Sequence, residues 1–130
     1  MVGQTDLKKW LQNLQPSLSE TSYGFGLLPA GGTLPAGLRP TGQFEEDEGT
    51  TLIAPSVQLA EYGIEYSGGW AKISLKVQSG LATVGLTAAI TTALARADIS
   101  ANVSAGYHHD HIFVPWARRY EALAILADAL

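Results

Sequence analysis

The sequence predicts an α+β protein of ferredoxin-like type, in which an antiparallel sheet carries its helices on one face. From residue 70 onward the patterns give a strand, a helix, two strands and a helix, the first five elements of a βαββαβ unit. Apolar and polar residues alternate from Ala71 to Gln78, which is typical of a strand with one wet face. The 130 residues are 46% hydrophobic and 15% charged, so we expect one compact, soluble unit.

Two elements are predicted before residue 40. Apolar residues recur at helical spacing over residues 5–14 and Pro16 ends the run, so a short amphipathic helix is expected there. A short strand is predicted over residues 23–28. Glycines and prolines crowd residues 29–40, which indicates an irregular loop.

A strand and a short helix are predicted between residues 44 and 63. Four consecutive acids, Glu45-Glu46-Asp47-Glu48, are typical of a solvated edge, although they could also bind a cation or an ammonium group. The chain is expected to turn at Gly49 and to continue as a strand over residues 50–54. Ser56 is expected to cap a helix that ends near Gly63.

The second half carries the sharper signals. After the strand that begins at Trp70, a helix is predicted over residues 83–97, with a buried stripe of Val84, Ile90, Ala93, Leu94 and Ala97. Strands follow over residues 99–105 and 111–114, joined by a connection at residues 106–110. The closing helix is marked by Tyr120, Leu123, Ala127 and Leu130.

The sixth strand of the βαββαβ pattern is missing, because the sequence finishes on a helix. An open edge beside Ile73 or Ile112 would be prone to association. We therefore expect a strand from the first half, either residues 23–28 or residues 50–54, to complete the sheet, or a partner chain to cover the edge.

Charge and composition exclude several classes of partner. A net charge of -4 with scattered basic residues gives no attraction for nucleic acid or for a membrane surface. No cysteine is present, no run of about 18 apolar residues could span a bilayer, and the first 14 residues lack the apolar core of a signal peptide, so a cytoplasmic location is expected. No cofactor is predicted, since Gly31-Gly32 lacks the spacing of a phosphate-binding loop.

The segment His108-His109-Asp110-His111 contains every histidine of the chain and is the strongest candidate for chemistry. Imidazole and carboxylate groups bind zinc and other divalent metals, but neighbours in an extended segment point to opposite faces. His109 and His111 could therefore converge, leaving two or three ligands at most, and a polar turn between strands is the favoured interpretation. Ser100 or Ser104 could be imagined as a nucleophile beside a histidine, but no G-x-S-x-G elbow accompanies them.

Four segments carry a family resemblance: residues 48–55 (EGTTLIAP), 66–70 (YSGGW), 84–90 (VGLTAAI) and 106–115 (GYHHDHIFVP). Together they resemble small standalone ACT-domain proteins, which are related to the regulatory regions of aspartate kinases and to the CASTOR arginine sensors. The likeness covers roughly residues 40–127, and the last segment is the most specific. The resemblance implies two ACT-like subdomains, an abbreviated one over residues 1–65 and a second over residues 66–130.

The resemblance also implies a function and a site. An ACT-type sensor would be non-catalytic, would bind an amino acid or a related small metabolite between two neighbouring units, and would form a homodimer. The matching positions are Ser79, Gly80, Leu81, Val84, Gly85 and Leu86 on one side, and Ser100, Ala101 and Asn102 on the other. The glycines would permit close backbone approach, and amides at a helix start would bind a ligand carboxylate.

Three alternatives remain open at this stage. Gly80 and Gly85 could serve only a tight turn and close packing of the helix on the sheet. The chain could be a small metal-binding protein, or a metal-dependent enzyme, that uses residues 108–111. It could also be a structural interaction module that binds no ligand.

Overall fold

A computed structural model describes residues 14–76 and 83–128, with backbone only at residues 83 and 84. The elements in chain order are β1 (Ser17–Pro29), β2 (Gly42–Glu46), β3 (Gly49–Pro55), α1 (Ser56–Glu61), β4 (Tyr66–Lys76), α2 (Thr83–Arg96), β5 (Asn102–Ala105), β6 (His109–Pro115), a 3₁₀ turn (Trp116–Arg118) and α3 (Arg119–Ala127). The helix predicted over residues 5–14 lies outside the described residues except for Leu14, and so do Val77, Gln78 and Leu130.

The strands form an antiparallel sheet in the order β2-β3-β1-β4-β6-β5, with helices on one face. This confirms the predicted fold class. β1 is hydrogen-bonded beside β4, in the position that the missing sixth strand would occupy. Of the two candidate strands from the first half, the one containing residues 23–28 therefore completes the sheet, and it is longer than predicted.

The chain divides into two compact units, residues 20–70 and residues 1–19 with 71–130. β1 and β4 each contribute residues to both units, because each strand crosses a unit boundary.

The unit of residues 20–70 is built on the antiparallel ladder of β1, β3 and β2, in which Phe25 pairs with Ile53 and Phe44 with Thr51. Its core comprises Leu38, Leu52, Ala54 and Leu59. β2 was not predicted, since its acidic residues have low strand propensity. Pairing with β3 overrides that propensity, because Glu45 and Glu46 lie opposite Thr50 and Gly49 while their side chains stay exposed.

Helix α1 begins differently from the prediction. Pro55 occupies the N-cap position and no side chain caps the helix, so the capping role expected of Ser56 is wrong. The Ser56 hydroxyl lies 3.4 Å from the hydroxyl of Ser22 instead. The helix ends at Glu61, near Gly63 as predicted, and the Gly63 φ of +68° lets the Ile64 amide donate to the Leu59 carbonyl.

In the second unit, the alternation of β4 is confirmed. Ala71, Ile73 and Leu75 are fully buried, whereas Lys72, Ser74 and Lys76 are half-buried or exposed. The buried face of β4 packs on α2 and α3. The core of this unit comprises Leu14, Ala71, Ile73, Leu75, Leu86, Ile90, Leu94, Ile99, Ile112, Val114, Ala122 and Leu126.

The predicted closing helix is present as α3, although not every residue that marked it is buried. Tyr120 is 67% exposed, and the buried residues of α3 are Ala122 and Leu126. A 3₁₀ turn delays the start of the helix to Arg119, whose guanidinium lies 3.9 Å from the Trp116 ring centroid and 4.5 Å from that of Tyr120. This stacking supports the Tyr120 ring at the surface.

β5 begins at Asn102, three residues later than predicted. Asp98 has a φ of +60° and the Ile99 amide donates to the Leu94 carbonyl, so the chain first wraps the end of α2. β6 begins at His109 rather than at His111, because Asp110 already pairs with Ala105. The connection between β5 and β6 is therefore only residues 106–108.

Candidate functional site

The ligand-binding residues inferred from the resemblance fall into two groups. Ser79, Gly80 and Leu81 lie outside the described residues, and Val84 is described only by its backbone, in the first turn of α2. Gly85 is exposed in the same turn, whereas Leu86 is only 3% exposed and belongs to the core. The backbone of this turn, rather than the Leu86 side chain, is what a ligand could reach.

The second group lies at the other end of α2. Ser100 and Ala101 follow the helix end, and Asn102 opens β5 with an exposed side chain. Gly85 and Arg96 are separated by 11 residues of helix, a rise of about 16 Å. One copy of this unit therefore does not bring the two groups together.

The histidines of β6 line one surface of the sheet. His109 and His111 have ring centroids 6.4 Å apart, which fits the predicted convergence. His108 lies in the β5–β6 connection, where it is exposed and its ring contacts Tyr107 edge-on at 4.8 Å. His111 Nδ1 is 2.8 Å from the Ser74 hydroxyl oxygen on β4.

Asp110 does not join these imidazoles, because the strand alternation turns it to the opposite face, where it is 4% exposed. Among residues 14–76 and 83–128, no group of three or more His, Cys, Asp or Glu side chains could hold a metal ion. The His108 ring centroid also lies 6.5 Å from that of His109, so His109 has an imidazole neighbour on each side along the chain.

A cavity of about 340 Å³ opens beside the two imidazoles. It lies within the unit of residues 1–19 and 71–130, and its described lining residues are Gln15, Ser17, Ser74, Lys76, His109 and His111. Three chain segments supply them: Gln15 with the start of β1, the end of β4 and the start of β6. The described lining contains hydrogen-bond donors, one lysine and two imidazoles but no carboxylate.

The electrostatics of this surface disfavour a further positive charge. Burial lowers the pKa of His111, and the neighbouring cations Lys72 and His109 lower it further, while Asp110 acts in the opposite direction. Burial also raises the pKa of Asp110, against the effect of His111. The lowered pKa of His111 favours the neutral imidazole, and the raised pKa of Asp110 favours the neutral carboxylic acid.

Sequence reasoning identified His109 and His111 but missed Gln15, Ser17, Ser74 and Lys76. The signal available was the wet face of β4, on which Ser74 and Lys76 alternate with buried residues. Relating that face to the histidines requires the lateral pairing of β4 with β6, which no local pattern contains.

The unit of residues 20–70 contains a separate, open cavity of about 510 Å³. Its described lining is Phe25, Gly26, Leu27, Thr51, Glu65, Tyr66 and Ser67, which includes one carboxylate and no basic group.

The described helices include none long and apolar enough to cross a membrane.

Two sequence models, each of an ACT domain, match the chain, one over residues 2–70 and the other over residues 65–128. No curated protein gives a match.

Several solved structures share the fold. VC0802 from Vibrio cholerae, a protein of unknown function and possible transport protein, is 38% identical, with 98% of each chain covered and a TM-score of 0.87. Atu0741 from Agrobacterium tumefaciens is 18% identical over 90% of this chain and 89% of its own, with a TM-score of 0.75. The regulatory subunit of aspartate kinase from Thermus flavus is 15% identical over 88% of this chain and 95% of its own, with a TM-score of 0.59.

Proposed function

Because the chain belongs to the ACT domain family, whose domains are regulatory and bind small ligands, we propose that it is a non-catalytic sensor of an amino acid or a related small metabolite. The supporting observation is the exposed Gly85 in the first turn of α2, directly after the connection from β4. First-turn amides of a helix lack intrahelical partners, and no side chain at Gly85 blocks them, so they suit a ligand carboxylate.

The proposed ligand lies between two ACT-like units. The backbone around Gly85 and the segment Ser100–Asn102 occupy opposite ends of α2, so a second unit must bring one group to the other. A homodimer supplies that second unit. The proposed subdomain boundaries, residues 1–65 and 66–130, are supported by the ACT-domain matches to residues 2–70 and 65–128.

A thermal-shift screen of the twenty amino acids, followed by calorimetry of those that raise the unfolding midpoint, tests this function. A ligand at 100 times its dissociation constant adds about 2.7 kcal/mol to the free energy of unfolding. We expect one amino acid, or a small group of related ones, to bind. Absence of binding by all twenty in both measurements would refute the amino-acid ligand.

The location is tested with Gly85→Leu, which fills the space in front of the first-turn amides. Thr92→Leu is the matched control, because Thr92 is exposed two turns further along α2 and the substitution places the same exposed leucine there. We expect the dissociation constant to rise at least about tenfold in Gly85→Leu, equivalent to about 1.4 kcal/mol, and to stay unchanged in Thr92→Leu. Equal affinities in both variants would place the ligand elsewhere.

Light scattering tests the second unit. We expect the protein to have the mass of a dimer. Asn102→Ala should weaken ligand binding without dissociating that dimer. A monomer that binds the amino acid with unchanged affinity would contradict a site formed between copies.

A cytoplasmic location and the absence of nucleic-acid and membrane partners remain predictions from the net charge of -4 and the sequence patterns.

A further inference from the structure

Every described residue that lines the cavity beside His109 and His111 is polar, and Lys76 carries a full positive charge. The hydroxyl groups of Ser17 and Ser74 and the amide of Gln15 can donate hydrogen bonds. A concave surface that combines donors with cations and presents no described carboxylate suits a negatively charged oxygen ligand.

The backbone at Gln15 adds an independent observation. Its φ is +48°, in the left-handed region that costs a non-glycine residue about 1 kcal/mol or more, and Pro16 follows it directly. The carbonyl of the preceding residue, Leu14, accepts a hydrogen bond of 2.8 Å from the Lys76 amide. This bend places the Gln15 side chain in the cavity lining, where an amide can serve a ligand.

The charges around His111 point to the same ligand class. Lys72 and Ser74 face it from β4, His109 and Asp110 neighbour it on β6, and Ser104 pairs with it from β5. Lys72 and His109 both oppose its protonation, and Asp110, the carboxylate that favours it, is directed to the buried face. An anion in the cavity would relieve this repulsion between cationic groups.

We propose that this cavity binds a small oxyanion, a phosphate or carboxylate group, held by Lys76, His109 and His111 with help from Ser17 and Ser74. The inference does not depend on the amino-acid site at the start of α2, since the cavity is lined by β1, β4, β6 and the residue before Pro16. In this proposal, the polar surface of the sheet binds a ligand separate from the amino acid at the start of α2.

Proton linkage follows from this assignment. An anion beside the His111 imidazole favours its charged form, so binding takes up protons where His111 titrates. The affinity should therefore increase as the pH is lowered from 8 to 6. Calorimetry in buffers of different ionisation enthalpy measures the proton uptake directly.

The test uses inorganic phosphate and malonate as probes, each titrated into the full chain at pH 6 with the ionic strength matched by sodium chloride. We expect saturable binding of at least one of them, and the tighter probe identifies the phosphate or the carboxylate as the source. Lys76→Gln and His109→Gln should each weaken that probe about tenfold or more, since each removes a charge-assisted contact at an exposed position.

Arg96→Gln is the control for charge, because it removes one positive charge from the exposed end of α2, on the other face of the sheet. Its affinity should match that of the unaltered chain. No saturable binding of either probe, or equal weakening in Arg96→Gln and Lys76→Gln, would overturn the proposal. If an amino acid binds through this cavity, Lys76→Gln will weaken it and Gly85→Leu will not, which refutes the α2 site and supports the oxyanion site.

Discussion

His111 Nδ1 and the Ser74 hydroxyl oxygen are 2.8 Å apart, joining β6 to β4 on the polar surface of the sheet. The hydroxyl can donate to a neutral imidazole or accept from a protonated one. The contact therefore survives a change of protonation, and the surrounding charges decide which form is favoured.

The free energy of unfolding should depend on pH through His111. Its pKa is lowered in the folded chain, by burial first and then by Lys72 and His109, below the ordinary value of about 6.5. In the window below that value the unfolded chain binds more protons than the folded one, so stability falls as the pH drops. Urea denaturation between pH 8 and pH 5.5 measures this loss.

His111→Gln should flatten that dependence, because the amide can still hydrogen-bond Ser74 but does not titrate. His108→Gln is the matched control, since His108 is exposed in the β5–β6 connection. An unchanged slope in His111→Gln, or an equal change in His108→Gln, would show that His111 is not the group responsible.

Leu94→Ala should destabilise the chain by about 2–5 kcal/mol, because Leu94 is fully buried between α2 and the sheet and its removal leaves a cavity. Val57→Ala should change the free energy of unfolding by less than about 0.5 kcal/mol, since Val57 is 76% exposed. Chemical denaturation measures both. Similar losses in the two variants would contradict the burial assigned to Leu94.

Asp98→Gly should stabilise the chain by about 0.5–1 kcal/mol. Asp98 ends α2 with a φ of +60°, a conformation that glycine adopts without a steric cost. The Arg118 guanidinium donates to the carbonyls of Ala97 and Asp98, which the substitution keeps. Urea unfolding curves of the two proteins give the difference.

The reciprocal change at the end of α1 provides the comparison. Gly63 has a φ of +68° and open space around it, so Gly63→Ala adds strain without a clash and should destabilise by about 1 kcal/mol. If Asp98→Gly is neutral while Gly63→Ala is costly, side-chain interactions of Asp98 offset its backbone strain.

The amino-acid sequence alone determined the elements whose signal is local. The alternation at Ala71, Ile73 and Leu75 defined the buried face of β4, and helical spacing located α2 to within a residue. Both patterns are set by the geometry of a strand and of a helix, so neighbours along the chain suffice to reveal them. The family resemblance extended this to the ACT fold.

Only the tertiary structure decided the features that depend on pairing between distant segments. It placed β1 beside β4, formed β2 from an acidic segment with weak strand propensity, and brought Ser74 and Lys76 to His111. It also separated Gly85 from Asn102 by the length of α2. Strand order and register follow from burial and hydrogen bonding summed over the whole sheet, and no single stretch of sequence carries that sum.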